Sequence, residues 1–279
     1  MRKLANGIWV TEVRSPDGAT AIIADHGAQL ISWIPVDGKE ALYLSAQSKF
    51  GGTSAIRGGV PIIFPQFGER GSGTRHGFAR LLAWHQIFSG TLQEHAVVRF
   101  RLGIEDLLAF NWPHQFEMMF EMSISAQQLN MSLTVHNRSD HAWEFCAALH
   151  TYLGVSDIAN IEIAGLQDSR YLDQVAGGTP SIQDAKALRI DAEVDRIYPA
   201  VKMPVAIIDR DRTVTIRNHG LRDVVVWNPG KEKAAQIGDM AAQDYRSFVC
   251  IEAAAIDKPV RLGAGETWSG SQHIMVRNN

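Results

Sequence analysis

Between Phe116 and Val135, apolar and polar residues alternate almost one by one. Phe116, Met118, Phe120, Met122 and Ile124 interleave with Glu117, Glu121 and Ser123, and after Ala126-Gln-Gln128 the pattern resumes with Leu129, Met131, Leu133 and Val135 against Asn130, Ser132, Thr134 and His136. A helix would repeat its apolar positions every three or four residues, whereas a strand turns successive side chains to opposite faces. The two runs predict a β-hairpin with one face buried, and Asn137-Arg-Ser-Asp140 predicts the turn that follows.

Similar short runs recur at residues 21–24, 30–34, 97–102, 143–149, 205–209, 214–217, 224–227, 248–251 and 273–276. Only Lys231 to Tyr245 has the Ala, Lys, Glu and Gln content of a short helix or two, interrupted by Gly238. Asp168 to Pro204 alternates weakly and reads as connecting loops and short strands over one face. No βαβ rhythm appears, which argues against parallel-sheet nucleotide folds. The expected fold is all-β: a large antiparallel β-sandwich, its two sheets burying their alternating apolar faces and leaving one concave face for a ligand. With 279 residues, 46% of them apolar, the chain can bury one large core, and a single domain over 1–279 is expected. Gly51–Gly52 and Gly71–Gly73 read as loop hinges rather than interdomain linkers.

The formal net charge is −3 and no long block of like charge occurs, so composition gives no support for a nucleic-acid or anionic-membrane surface. The N-terminus lacks the apolar stretch and small-residue site of a secretion signal, and no apolar run approaches a membrane-spanning length. A soluble cytoplasmic protein is expected, with Cys146 and Cys250 as buried free thiols. Its partner is expected to be a small molecule; sequence leaves the oligomeric state open, a monomer included.

Two segments carry the clearest chemistry: Arg57-Gly-Gly-Val-Pro-Ile-Ile-Phe-Pro-Gln-Phe-Gly68 and His76-Gly-Phe-Ala-Arg80. Each joins glycines, which allow close approach of backbone to a ligand, with an arginine whose planar fork suits an oxyanion such as phosphate. His150 and Glu252 are titratable groups in otherwise apolar strand-like runs. Alternation puts Trp143, Phe145, Ala147 and Leu149 on one face and Glu144, Cys146, Ala148 and His150 on the other. Taken alone, such a histidine is more often structural, and an acid such as Glu252 at a strand end is commonly a solvated edge. No His-Glu-x-x-His, Cys-x-x-Cys, Walker loop or Gly-x-Ser-x-Gly spacing occurs, so no metal, nucleotide or nucleophile-elbow site is expected.

Six motifs in order, the two above with His150-Thr-Tyr-Leu153, Asp195-Arg-Ile-Tyr198, Val226-Trp-Asn-Pro229 and Cys250-Ile-Glu-Ala253, make nearly the whole chain resemble the hexose-6-phosphate mutarotases of the aldose 1-epimerase superfamily. The resemblance implies the galactose mutarotase-like β-supersandwich and an isomerase that interconverts the α and β anomers of a hexose 6-phosphate, glucose 6-phosphate foremost. It further implies His150 and Glu252 as acid and base, Arg57 and Arg80 as phosphate contacts, and Asp195 as a contact to sugar hydroxyls, with His76 in the substrate-binding motif. Arg75 departs from the pattern, since relatives place an uncharged residue such as glutamine there; it either adds a third phosphate contact or faces water. Ala253-Ala254 replaces the common Pro-Gly. Opening and reclosing the ring needs one acid and one base, and neither a metal nor a redox cofactor.

Two rivals remain at this stage. An aldose 1-epimerase acting on free sugars would leave Arg57 and Arg80 desolvated without an anion, which is costly. A non-catalytic carbohydrate-binding module on the same fold would have no need of both His150 and Glu252.

Overall fold

The computed structural model describes residues 2–3, 7–36, 38–51, 54–107 and 110–279. Gly52 of the expected Gly51–Gly52 hinge and residues 1 and 4–6 of the N-terminal segment lie outside them. The described strands form antiparallel sheets of nine, eight and four, with one short α-helix, Gly230–Ala234, and isolated 3-10 turns. The expected hairpin consists of Phe116–Ser125 and Gln128–Asn137, in register from Phe116 opposite Asn137 to Ser125 opposite Gln128. Ala126 takes φ 40° in the two-residue turn, the positive φ that lets such a turn match the twist of its strands. Met118, Phe120, Leu129 and Leu133 are fully buried, as alternation requires.

The eight-stranded sheet positions the site. Its strands Val194–Tyr198, Asp223–Asn228, Phe248–Leu262 and Trp143–Leu149 lie side by side. Trp143, Phe145, Ala147, Leu149, Val224, Val226, Val249 and Ile251 join Phe100, Phe120 and Leu133 of the nine-stranded sheet in one core. Burying each large apolar side chain there contributes roughly 1.5–3 kcal/mol relative to leaving it exposed. The alternate residues Cys146, Ala148, Val225 and Ala254 face away into a second, smaller apolar cluster. A sheet buried on both faces shows continuous apolar runs instead of alternation, which explains the texture of residues 248–251.

The longest strands not legible in the sequence are Trp9–Arg14 and His85–Leu92. His85–Leu92 is an edge strand with most residues exposed or half-buried, so no buried face imposed a pattern on it. Among the described residues, no helix is long and apolar enough to cross a membrane.

Candidate active site

A cavity of about 690 Å³ lies on the face of the eight-stranded sheet turned away from the main core. That size is within the roughly 300–1,000 Å³ usual for small-molecule sites. Arg57, Arg75, His76, Arg80, His150, Asp195 and Glu252 all line it. Asp195 lies on Val194–Tyr198 opposite Trp227, and His150 follows directly on the end of Trp143–Leu149. Arg80 belongs to the 3-10 turn Ala79–Leu81, while Arg57, Arg75 and His76 lie on loops. Glu252 corrects the sequence expectation: instead of ending a strand at a solvated edge, it sits within the fifteen-residue strand Phe248–Leu262, 1% exposed, opposite Val225. Pairing on both sides carries this strand through Ala253–Ala254, overriding the weak β-propensity of alanine.

Of the motif glycines, Gly68 lines the cavity as expected, but Gly59 and Gly77 play a different part. A Cβ on Gly59 would stand 2.1 Å from the Leu30 carbonyl oxygen, and one on Gly77 would stand 1.9 Å from that of Phe64. They let main chain pack against main chain and so fix the loops, while neither lines the cavity. Buried Gln66 staples the loop that bears Arg75 and His76: its Oε1 accepts from Gly73 N (2.8 Å), and its Nε2 donates to the Gly73 and Gly68 carbonyls (3.2 and 3.3 Å). His76 holds φ 62°, a strained conformation for a histidine, and its Nδ1 accepts from Gly68 N at 3.2 Å. That bond leaves the proton on Nε2. Burial, followed by the Arg80, Arg75 and Arg57 charges, pushes the His76 pKa down to about 3, so the ring is a neutral hydrogen-bond donor.

His150 and Glu252 touch: Nε2 and Oε1 are 3.4 Å apart. Buried Thr151, between His150 and Tyr152, donates to Gln272, whose Nε2 in turn donates to the Ile251 carbonyl (3.0 Å). This clasp fixes residues 150–152 against the strand that carries Glu252. Burial works against the expected carboxylate and imidazolium. Burial first, and Asp195 second, raise the Glu252 pKa well above the ordinary carboxylate value. Burial, then His76, Arg57 and Arg80, hold His150 well below the ordinary imidazole value. The Glu252 Oε2 is buried without a partner, which further disfavours an ionised carboxylate. In the free protein burial thus works against both charged forms, the Glu252 carboxylate and the His150 imidazolium.

Nearby, Arg57 donates from Nε to Asp239 and from Nη1 to the Tyr152 hydroxyl, both at 3.0 Å. Burial opposes its charge, but Tyr152 and Asp239 hold its pKa above the ordinary arginine value. Arg80 lacks such support: its Nη2 donates to the Arg75 carbonyl (2.8 Å), and its Nε is buried without a partner. Burial and the Arg57 and Arg75 charges push its pKa down to about 10. Five cations, Arg57, Arg70, Arg75, Arg80 and Lys233, thus line one cavity, with Asp239 paired to Arg57 and Glu193 to Lys233. This is a place for an anion of more than one charge.

Trp227, Tyr152, Gln174 and Lys233 also line the cavity, and sequence reasoning gave them no role. Trp227 and Tyr152 lay inside motifs already singled out; Asp239, the partner of Arg57, had no local signal. Lys233 pairs with Glu193 and helps offset the burial that raises the Asp195 pKa. Among the described residues no group of three or more His, Cys, Asp or Glu could hold a metal ion.

The model of the family described as aldose 1-epimerase matches residues 10–275. A Cenchrus ciliaris protein named "putative glucose-6-phosphate 1-epimerase" is 33% identical, the alignment covering 96% of this chain and 84% of that protein. A Salmonella typhimurium protein of the same name is 31% identical over 89% of this chain and 90% of its own length. The crystal structure of a "putative mutarotase" from Salmonella typhimurium superposes with a TM-score of 0.91 at 29% identity, covering 100% of this chain and 93% of that one.

Proposed function

This chain belongs to the aldose 1-epimerase family, and we propose that it interconverts the α and β anomers of a hexose 6-phosphate, glucose 6-phosphate foremost, by acid–base ring opening and reclosure. The observation that carries this reading is a directly touching acid–base pair in a cavity that also gathers four arginines, Arg57, Arg70, Arg75 and Arg80. The C1 hydroxyl oxygen and the ring oxygen are bonded to the same carbon, so their proton donor and acceptor must lie close together, as His150 and Glu252 do.

The phosphate binds Arg57, Arg80 and Arg75, and the sugar ring extends to the pair, with Asp195 and the His76 Nε2–H taking hydroxyls. Glu252 accepts the proton of the C1 hydroxyl while His150 protonates the ring oxygen; the C1–ring oxygen bond breaks and leaves an open aldehyde. After rotation about C1–C2 the ring oxygen attacks the other aldehyde face, returning its proton to His150, and Glu252 reprotonates the new C1 oxygen. Each such proton transfer contributes typically ~10² to 10⁴ in rate. This direction starts from a protonated His150 and an ionised Glu252. The arriving phosphate favours that state, because its negative charge offsets the Arg57 and Arg80 charges that drive the proton off the imidazole.

We also read the chain as one domain, and as cytoplasmic, since Cys146 and Cys250 are buried, unpaired thiols suited to a reducing compartment. The test of substrate class is anomer exchange by NMR on glucose 6-phosphate and on glucose, each compared with its spontaneous rate. The reading requires strong acceleration for the phosphate ester and little for the free sugar; equal acceleration of both would favour the free-sugar epimerase.

A further inference from the structure

Histidines that transfer protons are usually oriented by a hydrogen bond at the second ring nitrogen. His150 has none to another residue: its Nδ1 is buried without a partner, while Nε2 faces Glu252. An aromatic contact replaces that bond. The Tyr152 ring lies flat against the imidazole, with centroids 4.8 Å apart and planes 9° from parallel, while Trp227 and His76 meet it nearer edge-on at 5.9 and 5.8 Å. The contact follows from the sequence, since residues two apart in extended chain point the same way. Tyr152 is itself immobilised. It is 2% exposed, pairs with Cys250, and is bonded through its main chain to Gly59 and Tyr43.

The hydroxyl of this tyrosine does something else. It accepts from Arg57 Nη1, and with Asp239 on Nε this aims the guanidinium and leaves Nη2 for a ligand. One side chain therefore touches the phosphate-side cation through its oxygen and the acid through its ring. We propose that Tyr152 is a positioning residue that joins the two halves of the site: its hydroxyl orients Arg57 for the phosphate, and its ring sets the plane of His150 for proton transfer. The inference rests on the hexose 6-phosphate reading, but its two parts can be measured apart from turnover.

The test uses Tyr152→Phe, which removes only the hydroxyl, and Tyr152→Leu, which removes the stack as well. Inorganic phosphate binding by calorimetry should weaken about 2- to 10-fold in both, the range of one hydrogen bond. In Tyr152→Phe the loss should fall on KM for glucose 6-phosphate and leave kcat close to wild type. In Tyr152→Leu kcat should fall at least about tenfold, the size of a displaced proton-transfer group. The His150 ring-proton resonance should also move downfield as the shielding tyrosine face is lost, and Tyr152→Phe should restore both readouts. Unchanged phosphate affinity in Tyr152→Phe overturns the hydroxyl's part, and an unmoved His150 resonance in Tyr152→Leu overturns the ring's part. Wild-type protein that binds phosphate yet exchanges no anomers would defeat the proposed function instead, with phosphate affinity and the resonance still deciding this inference.

Discussion

Replacing Arg80 by methionine should move stability and affinity in opposite directions. The side chain keeps its aliphatic stem but loses a guanidinium whose Nε is buried without a partner and whose pKa is pushed down to about 10 from 12.5, burial being the largest cause. At 1.36 kcal/mol per pKa unit this is about 3 kcal/mol against the charge at face value. The side chain is only half-buried, so solvent screening leaves roughly 1–2 kcal/mol. Arg80→Met should therefore melt no lower than wild type in phosphate-free buffer, and up to several degrees higher. Binding should fall by the loss of a charge-assisted contact, about 1.5–3 kcal/mol, or roughly 10- to 150-fold in Kd for glucose 6-phosphate by calorimetry. Phosphate should raise the wild-type melting temperature more than that of the variant. A variant that melts well below wild type without phosphate, yet binds the ester equally well, would refute the assignment of Arg80 as a guanidinium kept for an anion.

The pH profile follows from the two shifts: His150 takes up its proton well below the ordinary imidazole value of 6.5, and Glu252 loses its proton well above the ordinary carboxylate value of 4.5. The profile of kcat/KM should thus have its acid limb below 6.5, and Asp195→Asn should move the alkaline limb to lower pH by removing a charge that holds the Glu252 proton; an unmoved limb counts against the pair. Because the folded Glu252 pKa lies above its unfolded value, its contribution to stability is full below the unfolded pKa and is lost as pH rises through the folded one. Glu252→Gln should accordingly gain melting temperature relative to wild type as pH rises above the ordinary carboxylate value of 4.5, and a constant difference would contradict this. Gln66→Ala removes the staple of the Arg75–His76 loop and should raise KM for the phosphate ester by about tenfold, the scale of lost buried hydrogen bonds, measured by steady-state kinetics. Activity should persist in excess chelator; loss with recovery on adding a divalent ion would overturn the metal-free chemistry.

Much of the architecture was legible because it rests on local pattern. Alternation gave the hairpin at 116–137 with its buried face, and the same alternation put His150 on the face away from Trp143 and Leu149, where the cavity lies. The extent of Phe248–Leu262 was hidden because its alanines become strand only through neighbours on both sides. Motif glycines suggested a ligand, whereas Gly59 and Gly77 answer to the Leu30 and Phe64 main chain, far off in sequence or across a loop. Asp239 and Arg57 stand 182 positions apart and meet only in the folded chain. The resting protonation of His150 and Glu252 was likewise out of reach, since it depends on burial and on cations brought in from separate loops.

The most direct test of the account is magnetisation exchange between the α and β anomeric protons of glucose 6-phosphate, measured with wild type, His150→Ala and Glu252→Gln at matched concentrations. Wild type should exchange the anomers far above the spontaneous rate, and each variant, folded and still binding the ester, should lose about 10²-fold or more. Exchange at the wild-type rate in either variant, or no acceleration by wild type, would contradict a mechanism built on the His150–Glu252 pair.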